Sequence, residues 1–377
     1  LESSQNDILN GSDDSLMKQN WLDTLADKPK QGANVEVTID PALQQAAYDQ
    51  LVGPGYEGSA VAIQPSTGKV LAMASNPGYN PNDLMGDSAE DNWANLQEQE
   101  GQPLVNHAGA ETLPPGSIFK IITTAAGLNN GFDPSSTLTG SNVITLPDTV
   151  TELTNYANQK CNGQDSVTLQ TAFALSCNTA FVEMSEQIGA DELRKYAKAF
   201  GVGESYDLGV STSGGTLGDL PDGAATAQSA IGQRDVTMTA LQAAVMAGTV
   251  ANKGTRMQPY LVNRITDAQM KDVRTTKPKK ADQAVNEETA ATLTDLMYAS
   301  ERSSWGYDGN GFASKTGTAE HGEGLAPHVW YVAFDPERDI AVGVVVKNGG
   351  NLGESATGGK VSGPIGRAIL RAYQGEQ

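Results

Sequence analysis

The chain has 377 residues, with 45 acidic against 25 basic and a formal net charge of -20. That balance excludes nucleic acid and an anionic membrane surface as partners, and the length suffices for one large or two medium domains with a substantial core. No low-complexity tract, internal repeat or membrane-spanning apolar run occurs; the longest near-candidate, Ile340 to Val346, reads as a strand.

Residues 1–34 are polar and acidic with one apolar patch, Trp21-Leu22 and Leu25, and read as the remnant of an N-terminal linker or pedestal region. No signal peptide is visible, and the opening Leu1-Glu2-Ser3 points to a trimmed fragment of a longer protein. Residues 35–39 alternate as a strand, and Asp40-Pro41 caps a helix to about Leu51. Residues 59–64 and 69–74 flank Pro65-Ser66-Thr67-Gly68 as a hairpin, where an antiparallel sheet with one helix-covered face begins. A long Gly/Asn/Asp-rich excursion, 76–113, then delivers the chain to Leu113-Pro114-Pro115-Gly116-Ser117-Ile118-Phe119-Lys120. The prolines cannot continue a helix backwards, so a helix is predicted from about Ser117 to Asn129-Asn130-Gly131. A second irregular stretch, 131–165, holds Cys161 in a polar loop, and Cys177 follows in an apolar helical segment. A short-loop disulfide and two free thiols both fit that pair. Helices are predicted over 166–188 and 191–200, an irregular stretch over 201–233, a buried helix over 236–250, a strand over 256–266 and a helix over 287–299. Strands over 312–319, 329–334 and 340–346 and a closing helix, about 363–373, end the chain. Strands first and last with helices between predict one α+β domain over 35–377, its sheet assembled from both chain ends around a helical insertion of about 76–310.

Ser117 and Lys120 fall one turn apart on one helix face, close enough for the amine to reach the hydroxyl, and a weak oxygen nucleophile needs such a base. Ile118, Phe119, Ile121, Ile122, Ala125 and Ala126 cover the other directions, so Lys120 is expected to be desolvated and pushed toward its neutral form. The helix start offers unpaired N–H groups beside Ser117. S-x-x-K alone is cheap: Ser15-Leu16-Met17-Lys18 repeats it without the Pro-Gly entry or the apolar helix. Ser176-Cys177-Asn178 sets polar groups among Phe173, Leu175 and Phe181, where they demand partners. Taken alone they read more simply as a satisfied helix break than as a proton relay, Ser176 near Lys120 and Asn178 contacting Lys120 and a substrate amide. Lys315-Thr316-Gly317-Thr318 lies on a strand, so Lys315 can face the core while Thr316 and Thr318 share the other face, and Gly317 admits a second backbone closely. A peptide added along this strand would find a cation and hydroxyls for a terminal carboxylate; an edge lysine that discourages aggregation is the plainer alternative. Three histidines and two cysteines show no metal-ligand spacing, and nothing calls for a metal or a cofactor.

Found once each in suitable context and in this order, S-x-x-K, S-x-N and K-T-G match the signature of penicillin-binding proteins and β-lactamases, and the chain resembles a class B penicillin-binding protein. The likeness covers most of the chain from residue 35 onward, through Thr38 to Pro41, Ala62 to Gly68, Pro114 to Lys120, Ser176 to Phe181, Ser229 to Gln233, Lys315 to His321 and His328 to Tyr331. It implies the penicillin-binding-protein/β-lactamase-like transpeptidase fold and a peptidoglycan D,D-transpeptidase. Ser117 would attack the penultimate D-alanine carbonyl of a stem peptide and Lys120 would take its proton. Backbone N–H groups of Ser117 and Thr318 would form the oxyanion hole, Ser176 would protonate the leaving D-alanine, and Lys315, Thr316 and Thr318 would hold its carboxylate. The implied partners are stem peptides, with an amine as acceptor, and β-lactams that trap Ser117. The implied setting is the extracytoplasmic face of the bacterial membrane, with the parent protein anchored by an N-terminal helix and placed in a wall-synthesis complex. Two departures stand out: most of the family's N-terminal helix and pedestal is missing from this sequence, and Cys177 occupies the centre of the second motif.

Rival readings share the motifs. A β-lactamase needs a deacylating base after the second motif; Glu152-Leu153-Thr154-Asn155 resembles such a loop but precedes Ser176. A D,D-carboxypeptidase would use the same residues with water as acceptor, and a non-catalytic β-lactam sensor would lack the strand, helix and hairpin of residues 35–75. A Ser-His-Asp hydrolase lacks its G-x-S-x-G elbow, and His107, His321 and His328 read as loop or rim residues.

Overall fold

The computed structural model describes residues 1–16, 21, 31–322 and 324–375. Leu22 and Leu25 of the N-terminal patch, and Met17 and Lys18 of the S-x-x-K repeat, lie outside the described residues; Trp21 is exposed.

Five strands, β1 (Gly58–Ile63), β2 (Val70–Asn76), β3 (Ala313–Ala319), β4 (His328–Asp335) and β5 (Ile340–Val346), build one antiparallel sheet in the order β3-β4-β5-β1-β2. Its strands come from the two ends of the chain, and β4 and β5 join around a turn at residues 336–339. β1, β4 and β5 are buried along their whole length. The alternation read over 59–64 therefore does not mark a sheet with one solvated face, because helices cover both faces.

Six helices matter here: α1 (Pro41–Val52), α2 (Lys120–Leu128), α3 (Asn178–Ala199), α4 (Ala240–Ala251), α5 (Glu287–Ser303) and α6 (Ser362–Ala372). α1 and α6 cover the back of the sheet, where Leu43, Leu51, Tyr331, Val344 and Ile365 form one apolar cluster. α2 and α4 share the front cluster with Phe119, Ala243, Trp330 and Val332. Asp40 caps α1 by accepting from the N–H groups of Ala42 and Leu43, as the Asp-Pro pair predicts.

Several elements differ from expectation. The first strand, Asn34–Val37, pairs with Val262–Thr266 in a separate three-stranded sheet completed by Asp272–Thr275. The single strand predicted over 256–266 is two, Thr255–Met257 and Val262–Thr266, which serve different sheets; Pro259 between them has no N–H to continue a ladder. A helix, Gly223–Ala230, lies inside the stretch expected to be irregular, started by Asp222 accepting from Ala225 N–H at 2.7 Å. The helix predicted over 166–188 is interrupted: Leu169–Ala174 ends, three residues turn, and α3 begins at Asn178 and continues through a kink at Gly189 to Ala199.

Candidate active site

Ser117 sits not on the α-helix but on a 3-10 turn, Gly116–Phe119, that leads into α2 at Lys120. With three residues per turn, positions 117 and 120 still share a side. Neighbouring segments hold this turn. Leu113 and Met238 exchange backbone hydrogen bonds of 2.9 Å, and Gly116 N–H donates to Gly232 O at 2.9 Å. The buried indole of Trp330 on β4 donates to Pro114 O at 2.8 Å. Gly116 has φ 54°, and a methyl on it would stand 2.9 Å from Thr318 O, so both backbone conformation and space require glycine.

Lys120 is fully buried, beyond the partial desolvation expected of it, and Asn178 is among its partners, as the relay reading of the second motif expects. Its amine donates to Ser176 O at 2.8 Å and Asn178 Oδ1 at 2.7 Å, lies 3.4 Å from Ser176 Oγ, and stands over the Phe181 ring at 5.2 Å. Among the described residues no hydrogen bond joins it to the half-buried Ser117 hydroxyl. The reason is physical: a buried amine must be met by acceptors, and the turn at 176–178 presents the strongest ones. Burial, and then the charge of Lys315, pull its pKa well below the ordinary lysine value, toward a neutral amine.

Ser176 lies in the turn between the two helices with φ 62°, a left-handed conformation that serine seldom adopts. The helix break read from the sequence is what is seen, and the break faces Lys120. Cys177, the residue before α3, is joined to Cys161 by a disulfide with Cα atoms 5.7 Å apart. Asn178 Nδ2 donates to Thr154 O at 3.1 Å, so the loop that superficially resembled a β-lactamase's supplies a backbone acceptor to the second motif.

Lys315 on β3 is fully buried on the front face and donates to Ser176 Oγ at 2.9 Å and Thr316 O at 3.0 Å. Its ammonium lies 5.8 Å from the Phe173 ring, and burial lowers its pKa to about 7. Gly317 faces the nucleophile turn, where a methyl would stand 2.7 Å from Pro115 O. Thr316 and Thr318 are half-buried, and Thr318 Oγ1 accepts weakly from Gly358 N–H at 3.4 Å. Their hydroxyls are thus not drawn into the cluster; what β3 brings to it is Lys315 and its own backbone.

Four separated segments therefore converge: the 116–120 turn, the 176–178 turn, β3, and Trp330 behind them. Sequence reasoning passed over Trp330; its signal was an indole in a buried strand, since a buried indole N–H needs an acceptor. The rim assignment of the histidines is corrected for two of three. His107 is buried, with Nδ1 3.0 Å from Glu111 Oε2 and Nε2 3.0 Å from Gln102 O. His328 is buried in β4, accepts from Asn348 N–H at 3.2 Å and stacks on His321 at 3.9 Å, and burial with His321 lowers its pKa to about 4. None of these hydrogen bonds reaches Ser117, Lys120 or Lys315. A half-buried hydroxyl, an amine that burial pushes toward its neutral form, a second hydroxyl and a second buried amine, gathered from these segments, can serve acyl transfer through a serine ester.

Comparison with known proteins agrees. Residues 58–371 match the penicillin binding protein transpeptidase domain. A Mycolicibacterium smegmatis protein named peptidoglycan D,D-transpeptidase PbpA is 44% identical over 99% of this chain and 79% of its own length. Its namesake in Mycobacterium tuberculosis is 42% identical, over 100% of this chain and 80% of its own. The M. tuberculosis penicillin-binding protein A structure in its ceftriaxone acyl-enzyme complex superposes with a TM-score of 0.95 at 40% identity, covering 99% of this chain and 87% of that one. Its penicillin G acyl-enzyme complex superposes with a TM-score of 0.94, covering 99% and 88%.

Proposed function

The chain belongs to the class B penicillin-binding protein transpeptidases, and from that premise we propose that it cross-links peptidoglycan through an ester on Ser117. Lys120, neutral in its buried site, takes the Ser117 proton as the oxygen attacks the carbonyl carbon of the penultimate D-alanine. Negative charge on that carbonyl oxygen is met by the N–H groups of Ser117 and Thr318. The C–N bond then breaks, and the departing D-alanine nitrogen takes a proton through Ser176, which touches both lysines. Lys315 receives the terminal carboxylate, its charge favoured by that anion, with Thr316 and Thr318 as hydroxyl partners. Asn178 holds Lys120 and offers its amide to the substrate backbone. An amine from a second stem peptide displaces Ser117 and regenerates the hydroxyl. β-Lactams present the same carbonyl and carboxylate and stall at the ester.

The observation that carries this reading is the pair of buried lysines meeting at Ser176 Oγ, at 3.4 and 2.9 Å, one of them on the helix that the Ser117 turn leads into. Intact mass spectrometry after exposure to penicillin, with peptide mapping, tests it. One adduct on the Ser117 peptide that persists for minutes is expected; no adduct, or clearance within seconds, overturns it. Exchange of the terminal D-alanine of a stem-peptide mimic for a labelled D-amino acid separates an amine acceptor from water.

Such a substrate places the domain's work outside the cytoplasmic membrane. Among the described residues no helix is long and apolar enough to cross a membrane. We propose on family grounds alone that the full-length protein is membrane-anchored and acts within a wall-synthesis complex, with residues 35–377 as its transpeptidase unit. Fractionation of cells carrying the full-length gene tests the anchorage.

A further inference from the structure

The two N–H groups assigned to the oxyanion hole lie on different segments, the Ser117 turn and β3, so chain connectivity does not fix their separation. Around them the structure stacks four lengths of backbone in close approach at glycines: Gly232, the Gly116 turn, β3 at Gly317-Thr318, and Gly358. Gly116 N–H bonds Gly232 O at 2.9 Å, and a methyl on Gly232 would lie 2.1 Å from Gly116 O. On the far side, Gly358, four residues before α6, meets the back of the sheet. A methyl there would lie 2.2 Å from Trp330 O, 2.7 Å from Gly317 O and 3.0 Å from Gly317 N. Gly358 N–H also reaches Thr318 Oγ1 at 3.4 Å.

We infer that Gly232 and Gly358 are positioning residues that set the width of the oxyanion hole from its two outer sides. The closest of these approaches, at 2.1 Å from Gly232 and 2.2 Å from Gly358, are to backbone, which cannot swing away as the tip of a long side chain can. An added methyl at 358 must therefore move β3 or the loop that carries it. If β3 moves, Lys315, Gly317 and the Thr318 N–H move with it, and Trp330, which holds Pro114, is disturbed from the same point. Displacement of an oxyanion donor by a fraction of an ångström weakens a bond formed in the transition state, while the ground-state contacts of the ligand largely persist. This inference rests on the transpeptidase reading above.

Gly358→Ala is the sharper test, because position 358 has no positive φ and alanine adds bulk without backbone strain. Gly232 has φ 74°, so its substitution would mix both effects. The control is Gly343→Ala on β5, two strands from β3, whose methyl would crowd Ala240 O and Ala244 N at 2.5 Å each. Acylation by a fluorescent penicillin is followed at several concentrations, so that the first-order acylation constant separates from the non-covalent affinity, with thermal unfolding in parallel. We expect Gly358→Ala to lower the acylation constant by about 10- to 100-fold with affinity within about threefold. Gly343→Ala should lose thermal stability yet acylate within about twofold of the parent. Equal slowing in both variants, or a parent-like acylation constant in Gly358→Ala, overturns the inference. If Gly358→Ala does not fold, Gly359→Ala crowds Ser304 Oγ at 3.0 Å and shifts the same loop less; a slowing of about two- to fivefold supports the inference and none overturns it. A parent chain that forms no adduct defeats the transpeptidase reading instead. Crystal structures of parent and Gly358→Ala then decide the buttress by themselves, and an unmoved Thr318 N–H overturns it.

Discussion

Strand β3 carries two buried charged clusters, one on each face, built in opposite ways. On the back, Glu301 and Arg367 are 1% and 3% exposed and form an ion pair at 2.7 Å. Glu301 also accepts from Ser314 Oγ at 2.5 Å, Tyr331 OH at 3.0 Å and Asn310 Nδ2 at 3.0 Å, while Arg367 donates to Trp305 O and Ser304 Oγ. Every charge there has its opposite, and the guanidinium is held firmly protonated. One residue along, on the front, Lys315 and Lys120 are equally buried, and neither pKa is raised by any carboxylate. Two aromatic faces, a carbonyl, an amide and a hydroxyl are all they have. A compensated cluster lowers the energy of the fold and does nothing else. An uncompensated one holds its lysines near the point of changing charge, which costs stability and is what proton transfer and anion capture require.

That contrast can be broken by substitution. The largest effect belongs to Ser117→Ala, which should abolish covalent labelling by fluorescent penicillin while far-UV circular dichroism and thermal unfolding stay at parent values. Next, Lys120→Ala should slow acylation by a factor on the order of a thousand or more, since it removes the base and the partner that orders Ser176 and Asn178. In urea unfolding the same protein should lose less stability than the back-face variant Arg367→Met: a cavity opens and Ser176 O and Asn178 Oδ1 lose a donor, but no buried charge is left without its opposite. On the back face the pattern should reverse. Arg367→Met leaves Glu301 buried without its cation and should cost about 3–5 kcal/mol in urea unfolding, with acylation per folded molecule within about threefold of the parent. Arg367→Met that stops acylation without loss of stability would erase the distinction between the faces.

The two clusters were unequally legible in the sequence. Ser117 and Lys120 could be found because prolines mark the entry of their segment and apolar residues fill the rest of its first turns. Burial of Lys315 followed from strand alternation. A helix break at Ser176 was the plainer reading of its motif, but its conformation was hidden: a left-handed residue is usually announced by glycine or asparagine, and here serine takes it between two helices with apolar residues on both sides. Asn178 was legible as a partner of Lys120, whereas the Ser176 carbonyl that this turn presents to the amine was not. Glu301 and Arg367, 66 residues apart, show no local signal, since each reads as one more charge on an amphipathic helix. Partners of Asn34–Val37 were equally out of reach, because strand pairing is decided by segments more than 200 positions away.

The subtlest effect falls on Lys315 and takes its sign from its pKa. With a folded value of about 7 against an ordinary 10.5, the folded chain binds fewer protons than the unfolded one between those limits. Stability contributed at this position therefore rises with pH from about 7 toward 10.5, and below about 7 the penalty is present in full. Lys315→Met removes both the penalty and the slope. At pH 7 it should be more stable than the parent by roughly 1 kcal/mol, the gain from burial being partly offset by the partners left at Ser176 Oγ and Thr316 O. Between pH 7 and 9 the parent should close that gap and then overtake the variant, at up to about 1.4 kcal/mol per pH unit. Carboxylate capture should run the other way: non-covalent affinity of the parent for a carboxylate-bearing β-lactam should weaken as pH rises above about 7 and Lys315 loses its proton, while the Lys315→Met chain binds weakly and with no such slope. Parallel stability curves for the two proteins over that range would mean that Lys315 is compensated after all, and the front of β3 would then be built like its back.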